Sequence, residues 1–213
     1  MDKYGSPLQF LKLEPTEKYK AIIPCAGFGT RMKMLPHQAK ELLPDENGDP
    51  IIYWSLNICK KHNIEPIVVT RPEKKEFNEF LDQKNITYVF DEGKAVGQSI
   101  LKTKEYWSDY NIILLPDTRF DYDYKLFINI FRALKTGNDS VFALFDVIDY
   151  SNWGIICNNT FYEKPKRTFT YKDNALAWGV IGFRKEYGET LFNSYNLTSE
   201  PLKLSNQIGR AHV

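Results

Sequence analysis

Apolar and polar positions along this chain follow two alternating periods. From residue 19 to residue 147, short β-branched runs alternate with segments whose apolar residues recur every three or four positions, which are the patterns of buried strands and amphipathic helices. The predicted strands are residues 19–25, 66–70, 86–90, 111–115 and 140–147. The predicted helices are residues 51–63, 73–83, 95–107 and 124–136. This repeated β-α order predicts an α/β fold in three layers, with a mixed, mostly parallel sheet between two layers of helices.

The pattern changes in the last third of the chain, where strand-like runs are separated by polar residues and only one helix is indicated. The predicted strands there are residues 153–157, 160–162 and 175–183, and the predicted helix is residues 185–195. A strand-rich region after a β-α half suggests a substrate-side layer built onto that half.

The length of 213 residues favours one domain with a small appendage. We expect a polar leader at 1–18 and a single domain at 19–207, whose two parts are 19–147 and 148–207. The continuous apolar run from Ala21 to Cys25 predicts that the first strand is buried on both faces and lies at the centre of the sheet.

Composition excludes several classes of function. Lys and Arg total 28 and Asp and Glu total 27, so a net charge of +1 gives no basic footprint for nucleic acid or an anionic membrane. The three cysteines are widely spaced and the three histidines give little support for a zinc site. With no secretory signal at the N-terminus and no apolar stretch long enough to span a bilayer, we expect a cytoplasmic protein.

A glycine-containing loop follows the first predicted strand directly. Residues 25–32 read C-A-G-F-G-T-R-M, in which Gly27 and Gly29 remove side chains where backbone N–H groups can approach a phosphate. Arg31 adds a planar cation that suits phosphate oxygens. The alternative is a tight turn with a solvated Arg31. The spacing matches neither the P-loop nor the G-x-G-x-x-G dinucleotide motif.

A second cation follows in A-K-E-L-L-P, residues 39–44. Lys40 alone would be interpreted as a solvated surface lysine. Together with Arg31, it could hold a triphosphate.

A strand, then A-G-x-G-T-R, then Lys before L-L-P resembles the signature of the sugar-1-phosphate nucleotidylyltransferases, the nucleotide-sugar pyrophosphorylases. The resemblance implies a Rossmann-like nucleotidyltransferase fold and the reaction of an NTP with a sugar 1-phosphate to give an NDP-sugar and pyrophosphate. It implies catalytic roles for Arg31 and Lys40. The residues that it implies for nucleotide binding are Ala26, Gly27, Gly29, Thr30 and Gly93. Gly97 fits the position of Gly93 equally well. An ordinary turn at the N-terminus of a helix, without a role in nucleotide binding, is an equal alternative for this segment.

The later motifs follow the same family in order. In I-I-L-L-P-D-T, residues 112–118, Asp117 matches the family's Mg²⁺-binding aspartate, so the resemblance implies Mg²⁺ as the cofactor. The substrate-side residues that it implies are Gly154, Glu163, Lys164 and Gly179. We expect Gly27, Gly29, Arg31, Lys40, Asp117 and Lys164 to line one cleft at the carboxyl ends of the strands.

The sequence departs from the family near its end. The late D-x-G-T motif, which supplies a second metal aspartate, is absent. Residues 208–213, I-G-R-A-H-V, resemble the family segment just upstream of that motif. They can also be encoded by ATC GGA AGA GCA CAC GTC, which looks like a sequencing-adapter read. We therefore expect a gene fragment whose native sequence ends near Gln207, followed by a non-native tail at 208–213.

Two other functions stay open at this point. One is a cytidylyltransferase of the same fold that acts on choline phosphate or a polyol phosphate. The other is a non-catalytic module that binds nucleotides or sugar phosphates, which the missing aspartate favours. The expected ligands are an NTP and a sugar 1-phosphate, while the base, the sugar and a homo-oligomeric state stay undetermined.

Overall fold

The computed structural model describes residues 18–29, 38–93, 95–120, 124–150, 153–158, 160–163, 169, 173–196, 202–203 and 208–212. The strands are β1 Tyr19–Pro24, β2 Glu65–Thr70, β3 Thr87–Phe90, β4 Tyr110–Leu114, β5 Ser140–Phe145, β6 Gly154–Cys157, β7 Thr160–Glu163, β8 Leu176–Arg184, β9 Leu202–Lys203 and β10 Ile208–His212. The α-helices are α1 Tyr53–His62, α2 Lys75–Gln83, α3 Val96–Leu101, α4 Tyr124–Lys135 and α5 Lys185–Asn196. Short 3₁₀ turns lie at Lys40–Leu42 and Lys104–Tyr106.

These strands form one mixed sheet. In its first part the order is β3-β2-β1-β4, and every neighbouring pair there is parallel. The long strand β8 then runs antiparallel to β4, β5 and β6. β7 extends the sheet beside β6, and β10 pairs in parallel with β5. The β-α pattern of the first half and the strand-rich second part therefore correspond to parallel and antiparallel regions of the same sheet.

The first strand lies at the centre of the parallel region, as predicted. Ala21, Ile22 and Ile23 are all fully buried. Ile22 contributes to one core cluster, whereas Ala21 and Ile23 contribute to the other, because successive side chains of a strand point to opposite faces. An exposed edge strand would leave part of this apolar run in water, so burial on both faces favours the central position.

Helices cover both faces of the sheet. On one face, the apolar stripes of α2 and α4, which include Phe77, Leu81, Phe127 and Ile130, pack into the first core cluster. On the other face, Ile100 of α3 and Leu191 of α5 enter the second cluster. Burying a side chain of this size stabilises the fold by roughly 1.5–3 kcal/mol. The three-layer arrangement is thus the predicted one.

The helix predicted at 95–107 is wrong in its length. The α-helix ends at Leu101, and a separate 3₁₀ turn covers Lys104–Tyr106. Both the backbone N–H and the hydroxyl of Thr103 donate to the carbonyl of Ile100, at 3.0 and 2.7 Å. This local bonding tightens the chain after Leu101, and the Trp107 indole N–H then donates to the Thr103 hydroxyl.

Candidate active site

The loop after β1 leaves the carboxyl end of the central strand. Its first residue, Cys25, donates its backbone N–H to the Val69 carbonyl at 2.7 Å, which continues the pairing with β2. Gly29 has φ of +65°, a left-handed conformation that glycine adopts at little cost. A Cβ on Gly27 would meet no neighbouring atom within 4 Å. Packing among the described residues therefore does not require glycine at position 27.

Gly93 is the glycine that contacts this loop. Its φ is +67°, and a Cβ there would lie 2.3 Å from the Ala26 carbonyl oxygen. The Asp91 carboxylate holds the turn by accepting from the Gly93 N–H at 2.9 Å and from the Ser99 hydroxyl at 2.6 Å. Gly97 is buried within α3 instead. Of the two glycines that fit the motif, Gly93 is therefore the one placed against Ala26.

Lys40 and Asp117 meet across two segments of the chain. Lys40 begins the first 3₁₀ turn, and Asp117 follows the end of β4. The Lys40 Nζ lies 2.6 Å from the Asp117 Oδ2, and the two side chains are 27% and 49% exposed. An ion pair this exposed contributes about 0–1 kcal/mol to folding. Both groups are thus accessible to ligands at the carboxyl edge of the sheet.

A buried ion pair that the sequence pattern did not reveal lies behind Lys40. The Lys74 Nζ donates to the Glu41 Oε2 at 2.9 Å and to the Cys25 carbonyl at 2.6 Å. Both side chains are almost fully buried. Glu41 is the neighbour of Lys40 in the 3₁₀ turn, so the pair joins that turn to the loop after β1.

A short acidic loop borders the Asp117 segment. The Asp45 carboxylate accepts from the Trp54 indole N–H at 3.0 Å and from the backbone N–H groups of Asn47 and Asp49. These hydrogen bonds hold the pKa of Asp45 below its usual value, and the bond from the Trp54 indole has the largest effect. Its neighbour Glu46 pairs with Arg119, two residues after Asp117. Arg119 is a further cation near Asp117, and no sequence motif indicates it.

A cavity of about 530 Å³, which no sequence motif indicates, lies beyond β2 and β3. It is lined by Arg71, Pro72, Glu73, Phe90, Asp91, Glu92, Gln98 and Lys102. Arg71 is buried, donates to the Glu92 carbonyl at 2.7 Å, and places its guanidinium carbon 3.2 Å from the centre of the Phe28 ring. The cavity is therefore connected to the glycine loop through Phe28.

The substrate-side residues are described in part. Gly179 in β8 lies where the register with β5 shifts, and a Cβ there would lie 3.1 Å from the Phe145 ring and 3.7 Å from the Phe120 ring. Phe120 is three residues after Asp117, so β8 approaches the Asp117 segment. Gly154 begins β6, directly opposite Glu163 of β7.

Several predicted site residues cannot be placed in this way. Thr30, Arg31 and Lys164 lie outside the described residues, as does the Glu163 side chain. The predicted cleft is therefore described only at Gly27, Gly29, Lys40 and Asp117.

Among the residues that the structure describes, no group of three or more His, Cys, Asp or Glu side chains could hold a metal ion. No helix in the same part of the chain is long and apolar enough to cross a membrane.

The described features are gathered at the carboxyl ends of β1, β2, β3 and β4. A parallel sheet with helices on both faces is typical of the α/β proteins that bind ligands at this edge. Residues 20–202 match the family described as nucleotidyl transferase. The chain belongs to this family of enzymes, and the resemblance found in its motifs is confirmed at that level.

Two of the curated relatives are named for different acceptors. The chain is 31% identical over 130 residues to a D-glycero-alpha-D-manno-heptose 1-phosphate guanylyltransferase of Campylobacter jejuni, a match that covers 56% of this chain and 59% of the relative. It is 33% identical over 105 residues to the bifunctional protein GlmU of Hydrogenobaculum, covering 46% and 22%. It is 28% identical over 119 residues to a choline-phosphate cytidylyltransferase of Streptococcus pneumoniae, covering 53% and 48%. The chain thus spans less than two thirds of each relative.

The fold is also that of a solved structure. A crystal structure from Bacillus anthracis, assigned to glucose-1-phosphate thymidylyltransferase, superposes with a TM-score of 0.70 and covers 92% of this chain and 87% of the other. Its sequence identity is 19%, so the likeness concerns the fold.

Proposed function

We propose that this chain transfers a nucleotidylyl group from an NTP to a sugar 1-phosphate, giving an NDP-sugar and pyrophosphate. The observation that carries the proposal is the meeting of Lys40 and Asp117, at 2.6 Å, at the sheet edge from which the glycine loop emerges. A reaction between two anions requires positive charge at the phosphates. Lys40 would supply it directly, and Asp117 would supply it by holding a Mg²⁺ ion.

In the proposed reaction, an oxygen of the sugar phosphate attacks the α-phosphorus in line, and pyrophosphate leaves from the opposite side. The main tasks of the protein are to align the two anions and to offset their charge. Lys40 contacts the α-phosphate and the attacking phosphate. Arg31 contacts the β- and γ-phosphates and the departing pyrophosphate, and Lys164 holds the sugar phosphate. The backbone of Ala26, Gly27, Gly29 and Thr30 supplies N–H donors for the triphosphate.

No nucleophilic side chain takes part in this scheme, because the substrate phosphate is itself the nucleophile. Cys25 is the first residue of the loop, and it is fully buried. Burial raises the pKa of the Cys25 thiol well above its usual value and is the largest cause of the shift. The nearby Glu41 carboxylate raises this pKa further. The thiolate is therefore disfavoured, which supports a packing role for Cys25.

Asp117 is the described residue that we propose as a ligand of Mg²⁺. Mg²⁺ in phosphate-transfer sites is held by one or two carboxylates together with substrate phosphates, so a single half-exposed carboxylate at the sheet edge fits such a site. When bound, Mg²⁺ neutralises charge on phosphate oxygens. Lys40 would then exchange its contact with Asp117 for a contact with phosphate.

We place the nucleobase near Gly93, in the cavity bordered by Arg71 and Phe90. The ring of Phe90 is 48% exposed there and the ring of Phe28 is 42% exposed, which leaves aromatic surface for stacking on a base. On the acceptor side, Gly154, Glu163 and Gly179 complete the proposed sugar site together with Lys164. A nucleotide substrate and cysteines that are all buried suit the proposed cytoplasmic role in nucleotide-sugar biosynthesis.

One alternative function has support of its own. The match to a choline-phosphate cytidylyltransferase favours the same transfer to a choline or polyol phosphate. Pyrophosphate release should therefore be assayed with Mg²⁺ over a panel of ATP, CTP, GTP, UTP and dTTP against sugar 1-phosphates, choline phosphate and polyol phosphates. Release that requires a sugar 1-phosphate supports the proposal. Release that requires CTP and choline phosphate supports the alternative, and nucleotide binding without release supports a non-catalytic module.

A further inference from the structure

The buried ion pair of Glu41 and Lys74 is not accounted for by stability. The Lys74 side chain is 1% exposed and that of Glu41 is 0% exposed. Removing two charges from water often costs more free energy than their attraction returns, and a pair of apolar residues in its place is often as stable or more so. In addition, the Glu41 Oε1 is buried with no hydrogen-bond partner among the described residues.

The position of the pair suggests another role. Lys74 is the residue immediately before α2, Glu41 is in the 3₁₀ turn, and Cys25 opens the glycine loop. One ammonium group donates to the Glu41 carboxylate at 2.9 Å and to the Cys25 carbonyl at 2.6 Å. It thereby fixes the distance between the two segments that carry Lys40 and the glycine loop.

The turn that carries Lys40 depends on such contacts. It is three residues long, so it has few hydrogen bonds of its own. The Leu42 N–H donates to the Ala39 carbonyl at 3.1 Å, and the Ile52 N–H donates to the Glu41 carbonyl at 3.0 Å. Lys74 holds the Glu41 side chain inward. The side chain of the preceding residue, Lys40, extends to Asp117.

We propose that Glu41 and Lys74 are positioning residues, whose buried ion pair sets Lys40 relative to the glycine loop and to Asp117. This inference rests on the proposed function, because the aligned group is Lys40. Misplacing a phosphate-binding group by about 1 Å can reduce a rate by about 100-fold. The pair would therefore affect turnover more than substrate affinity.

The test is Lys74→Met, which keeps an unbranched side chain one atom shorter and removes both hydrogen bonds. The matched control is Thr103→Val, which deprives the buried Trp107 indole of its acceptor in the other core cluster. Both variants should lose thermal stability. At a temperature where both are folded, we expect Lys74→Met to reduce kcat by about 10- to 100-fold with a small change in KM for the NTP, and Thr103→Val to leave kcat unchanged.

A second readout does not need turnover. The rate at which acetic anhydride modifies Lys40, followed by mass spectrometry, reports the ammonium's surroundings, with Lys20 at the opposite edge as internal reference. We expect modification of Lys40 to be about threefold faster or more in Lys74→Met, because a Lys40 side chain that is no longer held against Asp117 is more accessible to the reagent. If the parent protein shows no transfer, the proposed function fails and this rate alone decides the inference.

The results that would overturn the inference are specific. A folded Lys74→Met with kcat within twofold of the parent would do so, as would an equal loss of kcat in Thr103→Val. In a protein without turnover, an unchanged Lys40 modification rate would do so.

If Lys74→Met does not fold, the double variant Glu41→Gln, Lys74→Met removes both buried charges. It still lacks the bond to the Cys25 carbonyl, so we expect its kcat to stay low, and a parental kcat would contradict the inference.

Discussion

Lys40 and Asp117 are 77 positions apart in sequence, yet the ammonium of one lies 2.6 Å from a carboxylate oxygen of the other. The contact joins the turn before α1 to the carboxyl end of β4. The pair is partly exposed, so its contribution to folding is small. Its position at the edge where α/β proteins bind ligands favours a chemical role for both residues.

The first prediction distinguishes the kinetic role of Lys40 from that of Arg31. Lys40→Ala should reduce kcat by at least about 100-fold, because its contact with phosphate should strengthen as charge shifts in the transition state. Arg31→Ala should act mainly by raising KM for the NTP. Lys20→Ala is the control, since Lys20 also pairs with a carboxylate, Glu65, but at the amino ends of β1 and β2. Steady-state kinetics would contradict this assignment if Lys40→Ala and Lys20→Ala behaved alike.

The second prediction concerns Asp117. Asp117→Ala should leave the fold intact and should remove Mg²⁺-dependent turnover, lowering the rate by about 100-fold or more. Glu65→Ala removes a carboxylate from the opposite edge and should keep the parental rate. Circular dichroism and a Mg²⁺ titration of pyrophosphate release check both points. An Asp117→Ala variant with a normal Mg²⁺ response would exclude Asp117 as the ligand.

Much of the fold and part of the site follow from the sequence because their signals are local. The apolar run Ala21–Cys25 gives the central strand, and the motifs A-K-E-L-L-P and L-L-P-D-T single out Lys40 and Asp117. By contrast, Glu41 and Lys74 are charged residues, for which a solvated side chain is the expected state. Their burial depends on tertiary packing. The same holds for Arg71, whose contact with Phe28 joins two loops distant in sequence.

The third prediction tests the close contact between Gly93 and Ala26. Gly93→Ala should lower stability by about 2–4 kcal/mol, because a Cβ would both occupy a left-handed φ and overlap the Ala26 carbonyl. It should also raise KM for the NTP by moving the loop. Gly48→Ala has the same kind of φ, +84°, with no atom within 4 Å of the added Cβ. It should therefore cost only about 1 kcal/mol in a denaturation experiment. Equal losses for both variants would argue against the contact.

The fourth prediction concerns the thiols. Burial raises the pKa of Cys59 to about 12 and raises that of Cys25 well above its usual value. Because the thiolate is the reactive form, both should react slowly with Ellman's reagent at pH 8 in the native protein. In denaturant, all three cysteines of the chain should react at once. Rapid modification of Cys25 in the native state, with loss of turnover, would instead indicate a chemical role for it.

The central claim is that the bond broken in the NTP is the one between the α- and β-phosphates. The most direct measurement is the fate of two labels, with one NTP sample labelled at the α-phosphorus and another at the γ-phosphorus. Mg²⁺, a sugar 1-phosphate and the parent protein are present in both. The account predicts that the α-label appears in the NDP-sugar and the γ-label in pyrophosphate, and that both transfers are lost in Lys40→Ala. A γ-label found in the sugar product or as inorganic phosphate, or no transfer of either label, would contradict it.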